Sequence, residues 1–304
     1  MQRQAAASFS RSTGEQRNAA PWTAANPGLR PVSKPALIVH GGAGPVPVAE
    51  RPDRQAAVER ALAAGWSVIG DGALAAVVAA VFRLEDEPLL NAGIGACLNL
   101  EGDVELDAGV MEGAQLRAGG VAAVRDVRHP INLALEVMRD GRHVLLSGDG
   151  ASRFARSHGV EICDPSTFII DRERQQHGFE GDTVGAVARD SDGHLAVAVS
   201  TGGVHNKWPG RIGDAPIPGA GIFADDRYGA VCGTGQGEAF MRLALARLMV
   251  IELEHGMDPA AVASGAVALL ETAMQSVGGV IVIGREGSPV AAFNTPAMPF
   301  AIAE

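Results

Sequence analysis

The chain has 304 residues, 47% of them hydrophobic, and a formal net charge of −10 at pH 7; this is ample for a buried core, and it excludes the broad basic footprint that non-specific nucleic-acid binding needs. Its three cysteines, Cys97, Cys163 and Cys232, are odd in number and widely spaced, which suits neither a disulfide framework nor a CxxC metal site and points to a reducing compartment. No apolar run reaches the ~20 residues of a membrane-spanning helix and no apolar stretch leads to a small-residue cleavage site, so a cytoplasmic protein with no membrane partner is expected.

Residues 1–34 are rich in Ala, Ser, Asn, Gln and Pro with no sustained period, a composition that cannot offset its own ordering entropy and reads as a disordered tail. "PALIVHGGAG" then gives a buried strand from Ala36 to His40, ended by glycines. "RQAAVERALAAGWSVI" and "ALAAVVAAVFRLED" carry apolar residues at helical spacing on alanine-rich faces, so two closely packed helices follow. "GGVAAVRDV" is a short strand, and "PINLALEVMRD" and "GASRFARSHG" are further helices. "TVGAVARD" and "HLAVAVSTGG", joined by Ser191, Asp192 and Gly193, form a hairpin. "GIFADD" and "GAVCGTG" form a second, followed by one long helix from Gly237 to about His255. Asp258 caps a further helix with Pro259 in its first turn, and "GGVIVIGREGSPVAAFN" closes as a third hairpin. Strands grouped with strands and helices with helices predict layered α+β packing rather than an alternating βαβ array.

Several motifs are weak. "GAGIFA", with Gly219, Gly221 and Ala224 in GxGxxA spacing, leads into a strand instead of opening a helix, which argues against a dinucleotide site. "HGGAG", His40 to Gly44, resembles an esterase oxyanion loop, but no GxSxG elbow accompanies it. The eight histidines contain no HExxH, which argues against a zinc hydrolase, and His40 alone after a strand reads as structural. The region from Asp182 to Glu238 is denser in chemistry. Thr183 opening a strand is, by itself, ordinary β structure. Arg211 and Asp214 flank Ile212 and Gly213 in a Gly/Pro-rich loop: they form either a surface ion pair of little worth or a grip on the carboxylate and ammonium of a free amino acid. "GTGQGE" places bare N–H groups ahead of a helix, either to stabilise developing negative charge or to make a tight turn.

"HGGAG", "LEDEPLLNAGIGACLN", "VELDAGVMEG", "DTVGAVARD", "STGG", "NKWPGRIGDAPIPGAG" and "GTGQGE" occur in this order between about Pro35 and Met298. Together they resemble the plant-type asparaginase and isoaspartyl peptidase family of N-terminal-nucleophile hydrolases. The resemblance implies a four-layer αββα sandwich, in agreement with the grouped strands and helices. It also implies self-cleavage between Asp182 and Thr183 into an α chain (35–182) and a β chain (183–304) interwoven in one domain, assembled as (αβ)₂. The implied substrates are L-asparagine and β-aspartyl dipeptides. Their amide is opened by Thr183, whose freed α-amine acts as base for its own hydroxyl.

By the same resemblance Thr201 is the second threonine that steers the nucleophile. Arg211 anchors the substrate α-carboxylate and Asp214 its α-ammonium, Thr234 and Gly235 stabilise the oxyanion, and Asn91 stands near the nucleophile. Main-chain carbonyls of Leu84, Glu85, Glu87, Leu90, Ala92 and Ile94 match the family's sodium-binding loop; no other cofactor is implied. This chain departs from the family pattern at Ala215, Ala297 and Glu112, where serine, glycine and aspartate are usual, and in its short segment before Asp182. Asp182 and "PIPGAG" are shared with the glycosylasparaginase branch, while "STGG" and "GQGE" differ from it. That branch therefore ranks second, and a processing-deficient binding homologue remains the reading from another class.

Overall fold

The computed structural model describes residues 34–171 and 183–304. The expected tail, apart from Lys34, lies outside the described residues, as does Asp182. Eleven strands and seven α-helices follow in chain order among the described residues: β1 (Ala36–His40), α1 (Arg51–Ser67), α2 (Ala73–Glu85), β2 (Leu106–Glu112), β3 (Ala118–Val124), α3 (Pro130–Asp140), β4 (Leu145–Ser147), α4 (Gly148–Ser157), β5 (Val184–Arg189), β6 (Leu195–Thr201), β7 (Ile222–Asp225), β8 (Gly229–Gly235), α5 (Gly237–Leu243), α6 (Leu245–Glu254), α7 (Pro259–Met274), β9 (Gly278–Gly284), β10 (Val290–Phe293) and β11 (Phe300–Ala303). Seven strands make one sheet in the order β11-β1-β5-β6-β2-β3-β4, and four make another in the order β10-β9-β8-β7. Every neighbour is antiparallel except the β3–β4 pair.

The strands are apolar on both faces because both faces are covered. Successive side chains point to opposite sides of a sheet, and they sort into different cores. Leu37 and Val39 of β1 face α1 and α2, with Val58, Val77 and Leu84. Ile38, between them, faces the second sheet, meeting Ile281 and Ile283 of β9. Val280 and Val282 of β9 turn outward against Phe240, Met249 and Leu270 of α5, α6 and α7. Three cores between four layers make an α+β, αββα sandwich, as the grouping of elements in the sequence predicted.

The helix termini follow their local chemistry. Pro130 opens α3 and Gly141, in the left-handed region at φ 70°, ends it; the Asp258 side chain accepts from Ala260 N at the start of α7. The single long helix expected from Gly237 is two. Ala244 takes up φ 47°, ψ 48° between α5 and α6, a conformation that costs an L-residue about 1–2 kcal/mol. The break is stabilised from outside: Ala246 N and Arg247 N donate to the carbonyls of Ala220 (3.1 Å) and Gly219 (3.0 Å). Strands β2, β4 and β11 carry no separate strand signal in the sequence reading; β4 and β11 are only three and four residues long.

Candidate active site

Register brings the site together at one end of the sandwich. Val184 pairs with Ser200, so Thr183, one step earlier, stands opposite Thr201 at the end of β6. Thr201 is in turn the ladder partner of Asp107 in β2. In the facing sheet, β8 ends in Thr234 and Gly235.

Thr183 and Thr234 are both buried and touch: the main-chain nitrogen of Thr183 donates to Thr234 Oγ1 at 3.1 Å. Ala43 N, from the glycine-rich loop after β1, donates to the same oxygen at 3.2 Å. A hydroxyl oxygen with two acceptor positions taken has its own proton left to give, so Thr234 is a donor beside Thr183. Thr201 Oγ1 accepts from Gly203 N at 2.9 Å. Asn91 braces this turn, donating from Nδ2 to Gly203 O (2.7 Å) and accepting Cys97 N on Oδ1 (2.8 Å). The structure thus places Thr183, Thr201, Thr234, Gly235 and Asn91 in one region, the last acting on the backbone that follows Thr201.

Arg211 and Asp214 are also here, and neither sits in a surface ion pair with the other. The Arg211 guanidinium is forked onto Glu238 in the first turn of α5, at 3.0 Å from Nε and 2.9 Å from Nη2. Asp214 is 5% exposed, and its Oδ2 has no hydrogen-bond partner among the described residues. Burial pushes its pKa up to about 7; the positive charge of Arg211 opposes this, and Asp107 and Glu238 add to it. Residue 237 stands against both side chains, and it is glycine. A Cβ there would lie 2.6 Å from Asp214 Oδ1 and 3.0 Å from Arg211 Nη2. A buried carboxylate oxygen with no donor is costly.

His40 is buried and its pKa is lowered by burial to about 3, so it is neutral. Gly42 N donates to Nδ1 at 3.3 Å, leaving the proton on Nε2, which faces Cys232 Sγ at 3.4 Å. Its role is structural, as its isolation in the sequence indicated.

In the loop expected to hold an ion, the carbonyls of Leu84, Glu85, Glu87 and Leu90 accept from Glu87 N, Ile94 N, Leu90 N and Ala92 N. Gly93 and Gly95 permit this tight wrapping: a Cβ on Gly93 would lie 2.2 Å from Glu85 O, and one on Gly95 2.8 Å from Leu90 O. No side-chain cluster of three or more His, Cys, Asp or Glu that could hold a metal occurs among the described residues.

Sequence reasoning assigned no role to Glu238, Asp107 or Ala43. All three lie in quoted motifs, but their partners stand 27, 106 and 191 residues away, and no local signal marks such contacts.

The αββα architecture is that of the N-terminal-nucleophile hydrolases. Residues 33–180 and 173–304 match the sequence profile of the family described as asparaginase. Isoaspartyl peptidase/L-asparaginase from Danio rerio is 40% identical over 286 residues, covering 89% of this chain and 92% of that protein. The proteins of the same name from Xenopus laevis (39% identical, 88% and 92% covered) and Homo sapiens (37%, 89% and 93%) are similar over the same extent. The chain belongs to the asparaginase family and is a hydrolase of amide bonds.

Proposed function

We propose that the protein hydrolyses L-asparagine and β-aspartyl dipeptides with Thr183 as nucleophile, after cleaving its own chain between Asp182 and Thr183. The observation that carries this reading is the unpartnered, buried Asp214 Oδ2 beside the Arg211 guanidinium, next to the Thr183–Thr234 contact. An anion and a cation that both stand against Gly237 suit the α-ammonium and α-carboxylate of a free amino acid. The reactive side-chain carbonyl of that amino acid then reaches toward the threonines.

Cleavage turns the Thr183 nitrogen from an amide N–H into an α-amine. With an ordinary pKa near 8 it is substantially neutral at neutral to mildly alkaline pH and can take the proton of its own hydroxyl. Thr183 Oγ attacks the β-carbonyl, and the oxyanion is met by the Thr234 hydroxyl and Gly235, a contribution of about 3 kcal/mol per donor. The amine proton passes to the leaving nitrogen, and ammonia or an amino acid departs. Water, deprotonated by the same amine, then opens the β-aspartyl ester and releases L-aspartate. Thr201 steers the nucleophile, and Asn91 holds the turn behind it.

The remaining features extend the same reading. A sodium ion held by main-chain carbonyls of Leu84, Glu85, Glu87, Leu90, Ala92 and Ile94 would stiffen the loop that presents Asn91; it takes no part in the chemistry. The α and β chains stay in one domain and pair as (αβ)₂, in the cytoplasm. Three free cysteines support that placement.

The test is a substrate panel on fragmented protein with Thr183→Ala as control. L-asparagine and β-aspartyl dipeptides should be hydrolysed, while α-aspartyl and N-acetylated β-aspartyl peptides should not; Thr183→Ala should stay full-length and inactive. Turnover by Thr183→Ala, or equal rates on the blocked peptides, would contradict the reading.

A further inference from the structure

The anchors Arg211 and Asp214 lie on a loop with no regular structure of its own, so something else must set their positions. Strand β2 and its lead-in do this through two acidic residues. Asp107 is fully buried; its Oδ2 accepts from Gly213 N at 3.0 Å and its Oδ1 from Ala123 N at 2.8 Å. Gly213 is the residue between Ile212 and Asp214, so this bond fixes the peptide that separates the two anchors. Glu105 accepts from Gly210 N at 3.0 Å, immediately before Arg211, and from Arg125 Nη2 at 2.8 Å. Lys207, 2% exposed, crosses back to donate to the Glu105 carbonyl at 2.6 Å. The loop is thereby held to β2 at residues 207, 210 and 213. Asp107 is also the cross-strand partner of Thr201, so one residue registers the anchors against the strand that carries the second threonine.

We propose that Asp107 is the positioning residue of the anchor loop, setting the separation of Arg211 and Asp214 from each other and from the threonines. It selects substrates with both an α-ammonium and an α-carboxylate at a fixed reach from the reacting carbonyl. This rests on the function proposed above. Its physical basis is that a charged acceptor on a buried N–H is worth more than a neutral one, and that a binding group moved off its partner loses ground-state and transition-state binding alike, a loss that appears in KM. Burial raises the Asp107 carboxyl above the ordinary carboxylate value, and Lys207, the two N–H donors and Arg211 hold that rise back.

The test uses Asp107→Asn, which leaves one side-chain oxygen for two N–H donors. Fragmentation into two chains shows that the variant has folded. KM for a β-aspartyl dipeptide should rise ~10–100-fold, while kcat stays within about threefold. The dissociation constant of L-aspartate, measured by calorimetry on the mature protein, should rise by the same factor. On an Arg211→Ala background the substitution should add little, because both act through one grip. Unchanged KM, an effect fully additive with Arg211→Ala, or a variant that stays full-length each overturns the proposal, the last because Asp107 would then carry the fold or the cleavage instead of the grip. If wild-type protein binds L-aspartate yet turns nothing over, the proposed reaction has failed, and the L-aspartate affinities still decide the role of Asp107.

Discussion

Asp214→Asn should make the protein more stable and less able to bind its substrate, and the gain should depend on pH. The aspartate is buried with one oxygen unpartnered, and its pKa is raised from the ordinary 3.8 to about 7. A raised folded-state pKa means that the unfolded chain releases this proton first. Stability is therefore fully retained below pH 3.8 and falls as pH rises toward 7, above which the loss is constant. Over that interval the displacement corresponds to roughly 4 kcal/mol. An amide at the same place carries no charge to desolvate but leaves a buried polar group unpaired, at about 1–3 kcal/mol. The net gain is on the order of 1–3 kcal/mol at pH 8, a rise in Tm of about 2–6 °C for a domain of this size. Thermal denaturation of both proteins from pH 4 to pH 8 isolates the group, because every other titrating residue is common to them. The Tm difference should be negative at pH 4, change sign as pH rises and level off above about pH 7. In the same preparations kcat/KM should fall by at least ~100-fold, the cost of losing a charged partner for an ammonium group. A Tm difference independent of pH, or a variant less stable at pH 8, would refute the claim that Asp214 is held as a strained anion awaiting a cation.

Thr234→Val removes the oxygen that accepts both Thr183 N and Ala43 N while keeping the shape. Self-cleavage followed by intact mass, and hydrolysis by any matured fraction, should each slow by ~10²–10³-fold, and an unchanged rate of either would remove Thr234 from that step. Gly237→Ala puts a methyl group 2.6 Å from Asp214 Oδ1 and 3.0 Å from Arg211 Nη2, at a helix position where alanine is otherwise favourable. It should fragment normally yet raise KM by ~10-fold or more, and normal KM would show that the substrate does not lie between these two side chains.

What could be read from the sequence was what local chemistry decides. The β5–β6 hairpin follows from its turn residues, with Asp190 Oδ1 accepting from Asp192 N and His194 N; α3 begins at a proline and ends at a glycine, and α7 begins at an aspartate cap and a proline. The pairing of Arg211 with Asp214 was visible because they are three residues apart; their freedom from one another was not, because Glu238 and burial decide it. The break at Ala244 depends on carbonyls of residues 219 and 220, more than twenty positions earlier, and a propensity argument favours an unbroken helix there. Likewise β11 forms because β1 offers it a sheet edge, and four half-exposed residues would not announce a strand. The threonine trio is assembled by register between two sheets. Only the resemblance to a known family, not spacing, could bring Thr183, Thr201 and Thr234 together in advance.

The central claim is that Thr183 becomes a chain terminus and that its own amine serves it as base. N-terminal sequencing of fully active protein, with intact mass of the same sample, addresses this most directly. A fragment beginning Thr183-Val184-Gly185-Ala186, in amount equal to the active sites, is expected. Full activity in material whose chain is unbroken at that position would contradict the account.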